Sequence, residues 1–105
     1  MRIAVTYENG EIYGHFGHSE QFKIYDIEDG KIQKSEVVDT SGSCHGALAS
    51  FLSNADVDIV ICGGIGSGAQ IALSNAGIKL YAGITGNADD AVAKLLAGEL
   101  EQMPQ

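Results

Sequence analysis

The chain has 105 residues, with 6 Lys+Arg against 14 Asp+Glu and a formal net charge of −8, the size of one domain, 1–105. That balance argues against nucleic acid, which is bound by displacing counterions from phosphates with Lys and Arg, and against anionic lipid headgroups, which repel acidic surfaces. With 45% hydrophobic and 19% charged residues, the sequence is too apolar for a disordered acidic tail.

The start, Met1 to Glu8, reaches charged and turn residues too soon for a signal peptide, and no apolar run approaches the roughly 20 residues of a membrane span. A cytoplasmic protein is expected. Without a secretion signal, Cys44 and Cys62 read as free thiols or metal ligands rather than a bridge.

Arg2 to Glu8 reads as a first strand, followed by a glycine-interrupted loop from Asn9 to Glu20. Gln21 to Glu28 and Lys31 to Asp39 are β-prone runs separated by Asp29-Gly30, a dipeptide that tolerates the positive φ angles of a two-residue hairpin. Phe22 and Ile24 face one way and Tyr25 and Ile27 the other, so this strand is expected to be covered on both faces. Ser41 and Ser43 can cap a helix from about Cys44 to Asn54, with Leu48, Phe51, Leu52 and Ala55 as its buried stripe. Val57 to Cys62 is almost wholly apolar, as in an interior strand of a parallel sheet. A glycine-rich turn opens a helix from about Ser67 to Ala76, ended by Gly77. Ile78 to Ala82 is the last strand. Asn87 then caps a final helix with Asp89 and Asp90 in its first turn, Val92, Leu95 and Leu96 inward, and Gly98 as its stop.

The order βββαβαβα, with right-handed crossovers, gives an α/β fold: a mixed five-stranded sheet of order 3-2-1-4-5 with helices on both faces. The loops at 9–20, 40–44, 63–67 and 83–87 then leave one edge of the sheet, beyond the carboxyl ends of its parallel strands, where open α/β sheets bind ligands. Asp29-Gly30, Ala55-Asp56 and Gly77 lie at the opposite edge, and Asp56 and Asp58 read there as solubilising charges.

Cys62 to Ala69, CGGIGSGA, has the context of an anion-binding turn. Gly63 and Gly68 have the spacing of the outer glycines of a P-loop, but Ala69-Gln70 replaces its Lys-Ser/Thr. Gly64 and Gly66 resemble a dinucleotide fingerprint, yet the next strand ends without the ribose-binding acid. Tight strand-to-helix packing and an anion cradle both remain open for this loop. His15 and His18 flank Phe16-Gly17, and Cys44-His45 begins a helix, where thiolate is favoured. Each pair alone is weak, since surface histidines without a role are common; four imidazole and thiol groups at one edge suggest a site for iron, zinc or copper. Cys62, ending an apolar strand, reads as a small core residue. Catalysis is not expected: a nucleophile elbow is absent, and the first strand lacks the acids of a two-metal nuclease.

His15-Phe16-Gly17 before a hairpin, Asp58 to Gly66 (DIVICGGIG), Asn75 to Tyr81 (NAGIKLY) and the closing Ala97-Gly98-Glu99-Leu100 resemble the dinitrogenase iron–molybdenum cofactor biosynthesis family, the group of NifX, the C-terminal part of NifB and the core of NafY. The resemblance covers nearly the whole chain and implies a three-layer α/β/α, ribonuclease-H-like fold without nuclease activity. It further implies a cytoplasmic carrier that holds a preformed iron–sulfur cluster or iron–molybdenum cofactor precursor and exchanges it with donor and acceptor proteins, as a monomer or weak oligomer. His15, Phe16 and Gly17 match its HFG element, and Cys44-His45-Gly46 falls where members carry a histidine- and glycine-containing helix start. The expected site is therefore His15, His18, Cys44 and His45 as ligands, with Phe16, Gly17, Gly63, Gly64, Gly66 and Gly68 around the cargo. Zinc at the same ligands, a small-ligand or phosphate-binding regulatory module using the Gly63–Gly68 loop, and a protein-interaction adaptor are the alternatives.

Overall fold

The computed structural model describes residues 1–16, 20–39 and 51–99. Its strands are β1 (Arg2–Glu8), β2 (Glu11–Ile12), β3 (Gln21–Glu28), β4 (Lys31–Asp39), β5 (Ile59–Ile61) and β6 (Lys79–Tyr81); its helices are α1 (Ser67–Asn75) and α2 (Ala88–Leu96), and residues 51–54 are also helical. The sheet runs β4-β3-β1-β5-β6, with β2 pairing off β1. β1 is antiparallel to β3 and parallel to β5, and β5 is parallel to β6. This is the mixed order expected from the sequence, with one short strand added.

Two turns fix its antiparallel half. Asp29 and Gly30 take φ of 54° and 73°, the left-handed pair that matches the twist of a two-residue hairpin. Asn9 and Gly10 do the same at 49° and 86° and fold β2 back on β1, with Glu8 opposite Glu11.

The sheet is covered on both faces. Ala4, Phe22, Ile24, Val60 and Leu80 pack against Leu52, Ala69 and Leu73, so 51–54 and α1 share one layer. Ile3, Val5, Tyr25, Ile27, Ile59 and Ile61 pack against Ala88, Ala91 and Val92 of α2. β3 thus sends Phe22 and Ile24 into one core and Tyr25 and Ile27 into the other, as strand alternation requires. Leu95 and Leu96 complete the inner stripe of α2. Gly77 and Gly98, at φ of 76° and 77°, stop the two helices as left-handed caps.

The expected helix from Cys44 is seen only at 51–54; its start, with Ser41, Ser43 and Leu48, lies outside the described residues. At the opposite edge Asp58 does more than carry charge: its Oδ2 accepts the Arg2 backbone N–H at 2.9 Å, while the Arg2 guanidinium pairs with Asp26 at 2.6 Å and donates to the Ala55 carbonyl. Among the described residues, no helix is long and apolar enough to cross a membrane.

Candidate functional site

Three loops meet beyond the carboxyl ends of β1, β5 and β6. The segment after β1 is held down first: Tyr13 N–H donates to the Thr6 carbonyl at 2.9 Å, and the buried Thr6 hydroxyl donates to the Tyr13 carbonyl at 2.9 Å. It then joins the loop after β5. Gly64 N–H donates to the Gly14 carbonyl at 2.7 Å and Phe16 N–H donates to the Gly64 carbonyl at 2.9 Å, a parallel bridge that pairs His15 with Gly64. The loop after β6 closes on both: Gly83 N–H donates to Gly63, Ile84 N–H to Cys62, Ile12 N–H to Gly86 and Ala88 N–H to Gly10.

Glycine is required at the crossing. A Cβ on Gly63 would lie 2.8 Å from the Gly14 Cα, and one on Gly64 would lie 3.0 Å from the Gly14 carbonyl oxygen and 3.9 Å from His15 Nδ1. The His15 side chain is exposed beside this crossing, edge-on to Tyr13 at a centroid distance of 6.2 Å. Gly63 and Gly64 are therefore explained by loop-to-loop contact rather than by packing of a strand against a helix. Gly66 and Gly68 have open space where a Cβ would stand.

The two described helix starts differ. α2 is closed by its own residues: Asn87 accepts the Asp90 N–H at 3.0 Å, and Asp89 takes hydrogen bonds from Lys23 and Tyr25. The hydrogen bond from Lys23 and then that from Tyr25 hold the Asp89 carboxyl below the ordinary range. α1 begins at Gly66 with no side-chain cap and no acid in its first turn, so no side chain of its own offsets the positive end of its dipole.

Residues 1–98 match the family described as dinitrogenase iron-molybdenum cofactor. The chain belongs to that family. It is 33% identical to the FeMo cofactor biosynthesis protein NifB of Sinorhizobium fredii over 75% of this chain, a match spanning 18% of NifB. It is similar to the crystal structure of PH0822, with a TM-score of 0.90 and 30% identity over 97% of this chain and 94% of that one. It is also similar to the apo form of the orange protein of Desulfovibrio gigas, with a TM-score of 0.84 and 28% identity over 97% of this chain and 92% of that one.

Within this dinitrogenase cofactor family member, the expected ligands divide. His15 stands at the crossing, whereas His18, Cys44 and His45, with Gly17, lie outside the described residues. Among the described residues, no three His, Cys, Asp or Glu side chains converge to hold a metal ion. Phe16 corrects the expectation that it lines the cargo: it is fully buried in the core and stacks edge-on with Phe22 at 5.9 Å. Its task is to anchor the segment that presents His15. Cys62 is fully buried in the core, and burial pushes its thiol up to about 12. The N-terminus of α2 is already offset by Asp89 and Asp90 in its first turn.

His15 also lines an open hollow with Glu8, Glu11, Tyr13 and Gly14. Sequence reading missed two supports of this geometry. Asn9-Gly10 is a strong hairpin signal, and it closes the loop that carries His15. Gly14 has no motif to mark it, since its role is to be crossed by Gly63.

Proposed function

We propose that this chain is a non-catalytic carrier. It holds a preformed iron–sulfur cluster or iron–molybdenum cofactor precursor at the rim between His15 and the Gly64–Gly68 turn, taking it from one protein and giving it to another. Membership of the cofactor family and the name of the NifB relative support the cargo class. The observation that carries the reading is the two-way backbone clamp between Gly14–Phe16 and Gly64. It fixes an exposed imidazole beside Gly64, two residues before the uncapped start of α1 at Gly66, and a soft metal ligand and backbone N–H donors are the groups that suit such a cargo.

The chemistry suits transfer. A sulfide-bridged cluster carries negative charge that a chain of net charge −8 repels, and the open start of α1 offsets part of it. Few protein ligands let the cargo leave, where a closed four-cysteine site would keep it. His18, Cys44 and His45 are the proposed companions of His15. The bound cluster supplies no reaction in this role; the protein binds, shields and releases it.

Protein purified without oxygen is expected to contain iron and acid-labile sulfide, or to take up cluster on anaerobic reconstitution with visible absorption that survives gel filtration. Zinc alone, or no metal with no uptake, contradicts the proposal. The uncapped Gly66 also favours a second reading, a phosphate-binding regulatory module. Thermal-shift titration with phosphate in the presence of a chelator separates the two, because that site does not need iron.

A further inference from the structure

Among the described residues, β4 is the outer strand of the sheet, with β3 as its neighbour. It is nine residues long, and eight of the nine are exposed, in a position where globular proteins keep edges short or covered because open N–H and C=O groups template pairing with another chain. Two of its three large apolar side chains are unusually open, Ile32 at 42% and Val37 at 44%. Its sequence, KIQKSEVVD, is basic before Ser35 and acidic after it.

We infer that β4 is a self-complementary edge through which two copies of this chain join their sheets antiparallel, centred on Ser35. Facing residues of an antiparallel pair share a sheet face, so a two-fold axis through the strand pair allows centring only on a residue. Centring on Ser35 sets Lys34 of each copy opposite Glu36 of the other. Centring on Lys34 or on Glu36 sets like charges opposite each other, which is repulsive, and centring on Gln33 or Val37 opposes no opposite charges.

The irregularity in β4 strengthens this register. Asp26 pairs with Lys34 and Ile27 pairs with Ile32, so Gln33 is an extra residue. Tyr25 and Ile27 both face the α2 layer. Their partners Ser35 and Ile32 therefore face it too, as does Val37, two residues beyond Ser35. In the Ser35-centred pair, Val37 of one copy lies across from the Gln33–Ile32 bulge of the other. The exposed apolar pair then meets on one face and the two Lys34–Glu36 pairs on the opposite face. Asp26 beside Lys34 on β3 belongs to the same charged face. Two chains of net charge −8 repel overall, so the association is weak.

The test is sedimentation equilibrium of the full chain from about 10⁻⁵ to 10⁻³ M. The mass is expected to rise toward twice that of one chain. E36K and K34E, both at exposed positions, are each expected to weaken association at least about tenfold by opposing like charges. An equimolar mixture of the two is expected to restore association, since each supplies the charge the other has lost, and so is the double variant K34E/E36K alone. Circular dichroism checks that all variants fold. A single-chain mass across the range, association indifferent to E36K and K34E, or folded variants whose mixture stays monomeric would each overturn the inference.

Discussion

At Gly63 there is no room for one more carbon, because the atom it would meet is backbone, the Gly14 Cα at 2.8 Å. Gly63→Ala must push the two loops apart, at a cost of about 1–3 kcal/mol, which in a domain of this size lowers the melting temperature by roughly 4–8 °C per kcal/mol. Gly68→Ala is the control: it sits in the first turn of α1 with nothing within 4 Å of its Cβ, and is expected to be neutral or to stabilise by up to about 1 kcal/mol. Scanning calorimetry of the two variants reads this directly, and equal melting temperatures would remove the crossing as a constraint. Cys62 sits one residue away, and its thiol ionises at about 12 instead of 9.0 because it is buried. The unfolded thiol ionises first as pH rises, so Cys62 favours the folded state fully below pH 9 and loses that contribution between about 9 and 12. Relative to Cys62→Ala, the parent is expected to lose urea stability across that interval, and native Cys62 is expected to resist thiol reagents at pH 7.

Among the elements, α2 docks through charge as well as apolar packing. Asp89 in its first turn accepts from Lys23 at 2.8 Å and from the Tyr25 hydroxyl at 2.5 Å, tying the helix to β3. The carboxyl is held below its ordinary range, so its contribution is present above about pH 4 and is lost as pH falls through the folded value. Urea melts of the parent should therefore weaken on acidification more steeply than those of Asp89→Asn, and parallel curves would contradict the tie. Asn87→Ala removes the cap on Asp90 N–H and is expected to cost about 1 kcal/mol at neutral pH, read from the urea midpoint. These elements were legible in the sequence because caps, stops and hairpin dipeptides are local signals: Asn87, Gly77, Gly98 and Asp29-Gly30 all act where spacing placed them. β2 was not read, although Asn9-Gly10 carries the same turn chemistry, because its strand is two residues long and has no periodicity to see.

For the whole molecule, strand order followed from handedness and pairing rules, and it brought the loops at 9–16, 63–67 and 83–87 to one edge as expected. The contact that locks that edge together was not legible. Gly14 and Gly63 lie 49 positions apart in the sequence, and the need for glycine at 63 comes from the Gly14 backbone. Phe16 was misjudged for a related reason: a family motif marks a residue without saying whether its side chain or its anchorage matters. The central claim is that the clamped His15 takes part in holding the cargo, and anaerobic reconstitution of the parent, His15→Ala and Cys44→Ala, followed by gel filtration and visible absorption, tests it most directly. The account predicts that the parent retains cluster while His15→Ala loses most of its absorption with its melting temperature unchanged; full retention by both folded variants would contradict it.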